Sequence, residues 1–321
     1  RLPIPPYPHG VYMIVKKDRL VKPGFNKISK TLRLPCFPDP RIINSAEGVL
    51  CMAEIMQYQK KRDDNPAFRE ALRKIWLSGF DDAPGYFDFF YEKRVRTGQA
   101  EIFCALSGAQ AVGAAYFLPA EIRRPGVTPQ KAYYGYAFAI LPEYRGTGIY
   151  QKLAHAFFRF ADAEKAGILF CPENEKLLRY YTANGTVQNY IAQQAVFSEA
   201  AFARMTAAGA LRELLPEESE LYGEIRDAAF QENDFLRWDT DAVKYALEEN
   251  RYCGGFCKIW NIAAKNYLLF GKKEKDGSVR ISETTLPPCF LIRNGARLSE
   301  KPLVTYGILP APRGRAGLLL D

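Results

Sequence analysis

Histidine is nearly absent: His9 and His155 are the only two in 321 residues. The seven cysteines are scattered, and only Cys253 and Cys257 stand close, as a C-x-x-x-C pair with no second pair nearby. Imidazole and thiolate are the usual zinc ligands, so no metal is expected. An odd cysteine count also argues against a disulfide framework, and reduced, buried thiols in a cytoplasmic protein are the default. The longest stretch nearly free of charge, 102–120, is broken by Ser107, Gly108 and Gln110. It reads as a hairpin of two buried strands, so no membrane partner is expected. The opening Arg1-Leu-Pro-Ile-Pro-Pro6 lacks the apolar core of a signal peptide.

Charge is present in excess of one sign. The chain carries a net +8, and residues 1–52 hold nine Lys/Arg against three Asp/Glu. Such an arm can attract an anionic partner. No nucleic-acid motif occurs elsewhere, so a solvated basic extension is expected rather than a nucleic-acid contact. Its prolines, from Pro3 to Pro40, remove amide donors and leave only Val11–Val15 as a short strand. No function follows from this arm.

From Ala53 the pattern becomes regular. Residues 53–59 read as a strand. Asp64-Asn-Pro66 reads as a helix start, and Phe68, Leu72, Ile75, Trp76 and Phe80 recur at helical spacing. A second, aromatic helix is expected over 86–95. A hairpin of 101–106 with 111–118 follows, turning at Ser107-Gly108. Residues 133–140 form the next strand, 168–171 a short one after Gly167, and 175–183 a helix stopped by Asn184-Gly185.

Between two of these elements lies the most informative stretch. The strand ending at Ile140 runs through Pro142 into Arg145-Gly-Thr-Gly148. A helix follows, with Leu153, Ala156, Phe157 and Phe160 on one face. Strand, glycine loop and helix direct backbone N–H groups and a positive helix end at one spot, an anion site suited to phosphate.

Taken in order, residues 53–190, in a domain drawn as 53–198, resemble the GNAT superfamily of N-acetyltransferases. The family's loop signature, [Q/R]-x-x-G-x-[G/A], falls on Arg145 to Tyr150, with Arg145 and Gly148 matching and Tyr150 in place of a small residue. That ring either crowds the loop or turns outward. A second signature, an Asn followed seven residues later by a Tyr, falls on Asn174 and Tyr181, with Gly185 ending the helix. The resemblance implies an α+β fold: a mixed, mostly antiparallel sheet with splayed central strands and flanking helices. It implies acetyl-CoA as co-substrate, with the pyrophosphate held by Arg145, Gly146, Thr147, Gly148, Ile149 and Tyr150. The pantetheine arm would run along Phe138, Ala139 and Ile140, and Asn174 would either bind it or cap the helix from Glu175. Tyr181 would be the general acid that protonates the leaving thiolate.

The base is harder to find, because no Asp or Glu lies on 133–140. A water relay past Tyr134 or Tyr136 is one solution. Residues 199–321 supply another. Their helices (221–230, 241–250) and strands (255–262, 267–272, 279–283) resemble a degenerate GNAT-like unit. The whole is similar to the tandem arrangement of Eis-like acetyltransferases. There the terminal carboxylate takes part in proton transfer, which would make Asp321 the base. The expected activity is direct acetyl transfer to a primary amine of a small molecule, less favourably of a peptide or protein. A non-catalytic CoA-binding scaffold and a tandem aminoacyltransferase are the alternatives, and self-association is left open.

Overall fold

The computed structural model describes residues 53–59, 64–83, 85–172, 174–183, 185–308 and 314–315. The basic arm of residues 1–52, its strand at Val11–Val15, and Asp321 lie outside them. Asn65 begins the first helix as expected: its side chain accepts from the Phe68 amide at 2.9 Å, and Pro66 occupies the first turn. The helix, α1 (Pro66–Gly79), buries Leu72, Ile75 and Trp76. Helix α2 (Tyr86–Phe90) then widens into a π-helical turn (Tyr91–Val95), so the single helix expected over 86–95 is in two parts.

The sheet begins with β1 (Glu54–Gln57), β2 (Glu101–Ser107), β3 (Gln110–Arg124) and β4 (Val127–Ile140), neighbours in that order. β3 and β4 are longer than expected because their hairpin extends beyond the core, where β3 meets β8 (Phe235–Arg237). Helix α3 (Ile149–Ala163), β5 (Gly167–Phe170), α4 (Glu175–Ala183) and β6 (Val187–Phe197) complete the first half. The second half runs α5 (Glu199–Thr206), β7 (Ala210–Glu213), α6 (Ser219–Phe230), β8, α7 (Thr240–Tyr252), β9 (Gly255–Ile262), β10 (Lys265–Lys273), β11 (Val279–Thr284), α8 (Pro288–Arg293) and β12 (Arg297–Tyr306). β13 (Gly314–Arg315) is the last described strand.

Strand, two helices, three-strand meander, helix, strand: the second half repeats the order of the first. The two copies exchange strands. β12 pairs with β5, and β6 lies between β12 and β11, giving β4-β5-β12-β6-β11-β10-β9-β7. In the second copy the place between the third meander strand and the strand after its helix is thus filled by β6. The division drawn at residue 198 falls in sequence between β6 and α5, but the sheet is continuous across it. β13 pairs with both β6 and β8, and β8 with β3, so seven strands (β3, β4, β5, β12, β6, β13, β8) close into a ring.

Aromatic side chains fill both faces of the first-half sheet. Phe103, Phe117 and Tyr133 pack against Phe157 of α3, while Trp76 and Phe90 pack against Tyr116 and Tyr136. Such buried rings dominate the apolar area removed from water.

Candidate functional site

β4 and β5 are parallel and paired from Ala132 opposite Gly167 to Gly135 opposite Phe170. β5 ends there, and β4 continues to Ile140 with β3 on one side and no described strand on the other. Two local features open the gap. At Gly135 a Cβ would collide with the Phe170 ring, so only glycine lets the strands approach before they part. At Tyr136 the ladder slips: Phe117 faces Gly135 but Tyr116 faces Ala137, leaving Tyr136 as the extra residue of a bulge. A bulge bends its strand and re-aims side chains. Tyr136 accordingly packs on Phe90, 4.9 Å between ring centres, while Phe138 points to the opposite face against Tyr150 at 5.5 Å.

The glycine loop follows directly. Gly146 and Gly148 have φ of +81° and +82°, a region costly for any side chain. No side chain caps the helix at Gly148, so the first-turn amides of α3, including those of Ile149 and Tyr150, keep their donor capacity for an external anion. Thr147 Oγ1 donates to the Tyr144 carbonyl at 2.7 Å and fixes the turn. Arg145 braces the loop from behind: its Nε donates to the Ile140 carbonyl (2.9 Å) and its Nη2 to the Ser78 carbonyl (2.7 Å). Its charge is spent on the ends of β4 and α1. The Tyr150 ring does not turn outward; it is buried against Phe138, Tyr180 and Tyr181.

On the same face, Tyr181 of α4 stacks on Phe170 at 5.1 Å, with planes 8° apart. Its hydroxyl is buried; it falls outside hydrogen-bond geometry with every described residue but feels the neighbouring Tyr150 hydroxyl. Burial pushes its pKa up to about 12, so the proton is held firmly at neutral pH. Asn174 caps α4, its Oδ1 accepting from the Leu177 amide at 3.0 Å. A buried hydroxyl with no bond of good geometry, beside an open strand edge and an uncapped helix start, is a donor set that fits acetyl-CoA.

The opposite face holds a cluster absent from the sequence expectations. Glu249 of α7 is buried, and its Oε1 accepts hydrogen bonds from Tyr136 (2.8 Å), Tyr245 (2.8 Å) and Tyr86. The hydroxyls of Tyr86 and Tyr136 are themselves 2.5 Å apart. Burial, and then the Glu249 charge, drive the pKa values of all three tyrosines well above 10. Glu249 stands 113 residues from Tyr136, so no motif links them. The available signal was a glutamate on the buried stripe Ala242, Tyr245, Ala246, Glu249 of an otherwise ordinary amphipathic helix. Among the described residues, no group of three His, Cys, Asp or Glu side chains could hold a metal ion, and no helix is long and apolar enough to cross a membrane.

Comparison with known proteins bears most directly on the first half of the chain. Residues 65–185 match the model of the acetyltransferase (GNAT) family. The chain carries a GNAT domain. The match begins at the cap of α1 and ends at Gly185, enclosing the bulge, the parted strands, the glycine loop and Tyr181. No curated protein sequence matches the chain. Solved structures share the GNAT fold over a longer span. A GCN5-related N-acetyltransferase from Kribbella flavida superposes with a TM-score of 0.58 at 12% identity, over 79% of this chain and 71% of its own. A GCN5-related N-acetyltransferase from Anabaena variabilis gives 0.58 at 12% identity, over 78% and 72%. A conserved protein of unknown function from Enterococcus faecalis gives 0.57 at 13%, over 79% and 72%. These shares exceed residues 65–185, so the likeness of fold extends into the second half.

Proposed function

We propose that this GNAT protein transfers acetyl from acetyl-CoA directly to the primary amine of a small molecule, in the cytoplasm. The observation that carries the reading is the parting of β4 from β5 between the uncapped glycine loop and the buried Tyr181 hydroxyl. The loop amides of Gly146 to Tyr150 bind the pyrophosphate, and the free edge of Phe138 to Ile140 hydrogen-bonds the pantetheine amides. The thioester is thereby delivered to the level of the bulge. The neutral amine attacks the thioester carbon, the C–S bond breaks, Tyr181 donates its proton to the departing thiolate, and the nitrogen releases one N–H proton to solvent as the amide forms. Solvent returns that proton to Tyr181 after product release. Arg145 and Asn174 hold the loop and α4 in place.

Acetyl-CoA should raise the melting temperature clearly, and free adenine nucleotides less, because only the full molecule spans loop and gap. No shift at millimolar acetyl-CoA would refute the reading. Thiol release over a panel of polyamines, aminoglycosides and amino acid esters identifies the acceptor. A CoA-dependent shift without thiol release from any amine would mark a CoA-binding scaffold instead.

A further inference from the structure

We propose that Glu249, supplied by the second half of the chain, receives the proton of the acceptor amine through the hydroxyl of Tyr136. The inference rests on the acetyl-transfer reading and deepens it, assigning the base that 133–140 lacks. Of the three tyrosines that donate to Glu249, only Tyr136 lies on β4, at the residue where that strand leaves β5. The bulge aims its ring at the face opposite Tyr181, so acid and base act from opposite sides of the parted sheet. Tyr136 directs its proton at Glu249 Oε1, and its oxygen also lies 2.5 Å from the Tyr86 hydroxyl and 3.4 Å from that of Tyr245; since those two donate to Glu249 themselves, a lone pair of Tyr136 is left to accept from an N–H group. Trp76 and Phe90 pack against the same ring and hold it in place.

The transfer is balanced without forming a free phenolate. An ammonium N–H bond breaks as its proton passes to Tyr136 Oη, while the Tyr136 O–H proton passes to Glu249 Oε1. The amine lone pair then forms the C–N bond. Of the two protons nitrogen must lose overall, one leaves through Glu249 to solvent, and the other offsets the proton that Tyr181 gives to sulfur. The groups around the carboxylate are Tyr86 of α2, Tyr136 of β4, Tyr245 of α7, Cys253 just beyond α7, and Arg94 of the π-helical turn. Tyr136 touches the amine and is the catalytic residue; Glu249 acts through it as a positioning and proton-accepting residue.

The test uses propylamine, a simple unbranched primary amine, with acetyl-CoA and the full chain, following thiol release against pH. A working relay consumes the ammonium form, so the wild-type rate should be nearly level between about pH 7 and 9, well below the amine's own pKa. Without the relay only free amine from solution reacts, and in Glu249→Gln the rate should start far lower and climb about tenfold per pH unit. Tyr136→Phe, which cuts the link but leaves Glu249 bonded to Tyr86 and Tyr245, should give the same slope and serves if Glu249→Gln does not fold. Retention of the acetyl-CoA-induced rise in melting temperature certifies each variant. Parallel pH profiles for wild type and a certified variant would overturn the relay, as would a wild type that binds acetyl-CoA but releases no thiol with propylamine. Loss of the wild-type thermal shift would instead remove the underlying acetyl-CoA reading.

Discussion

At the scale of single residues, the site depends on a few positions with one tolerable side chain. Tyr181→Phe removes the buried hydroxyl and nothing else. Its kcat should fall on the order of a hundredfold, with acetyl-CoA affinity unchanged, as steady-state kinetics and calorimetry would register. Gly135→Ala should destabilise the protein by about 1–3 kcal/mol, since its Cβ enters the space of the Phe170 ring; urea unfolding measures this. Tyr181 and the glycines of the loop were legible because they sit in a short motif whose chemistry is local. Glu249 was not, because a lone glutamate on a helix is ordinarily solvated and its tyrosine partners lie on three separate elements. Tyr150, the residue that departed from the signature, is a buried ring packed against Phe138, Tyr180 and Tyr181.

At the scale of elements, the loop and α4 are held by one side chain each. Asn174→Ala should cost about 1 kcal/mol through loss of the α4 cap and shift the melting temperature accordingly. Arg145→Ala should weaken acetyl-CoA binding more than it lowers stability, because it frees the loop from β4 and α1 without emptying the core; titration calorimetry would separate the two effects. The helices and the meander of the first half were readable from periodicity alone, since one face of each is buried. β6, β12 and the interruption of the second helix by a π-helical turn were not. Strand exchange leaves no mark in a local pattern, and a bulge at Tyr136 looks like uninterrupted strand.

At the scale of the whole molecule, buried tyrosine is the dominant titratable feature. Burial raises Tyr181 and Tyr190 to about 12, so their neutral form belongs to the folded state. Their contribution is complete below the unfolded value near pH 10 and is lost as pH climbs toward 12. Stability followed by circular dichroism should therefore stay level through mild alkali and fall steeply across that interval. The exchange of β6 and β12 has a different consequence, one of timing. β5 waits for a partner more than a hundred residues downstream, and the second copy closes around a strand made before it. On the ribosome the GNAT half therefore emerges first yet cannot mature until β12 leaves the exit tunnel. A nascent chain stalled after residue 198 should remain protease-sensitive, and one carried through β12 should not.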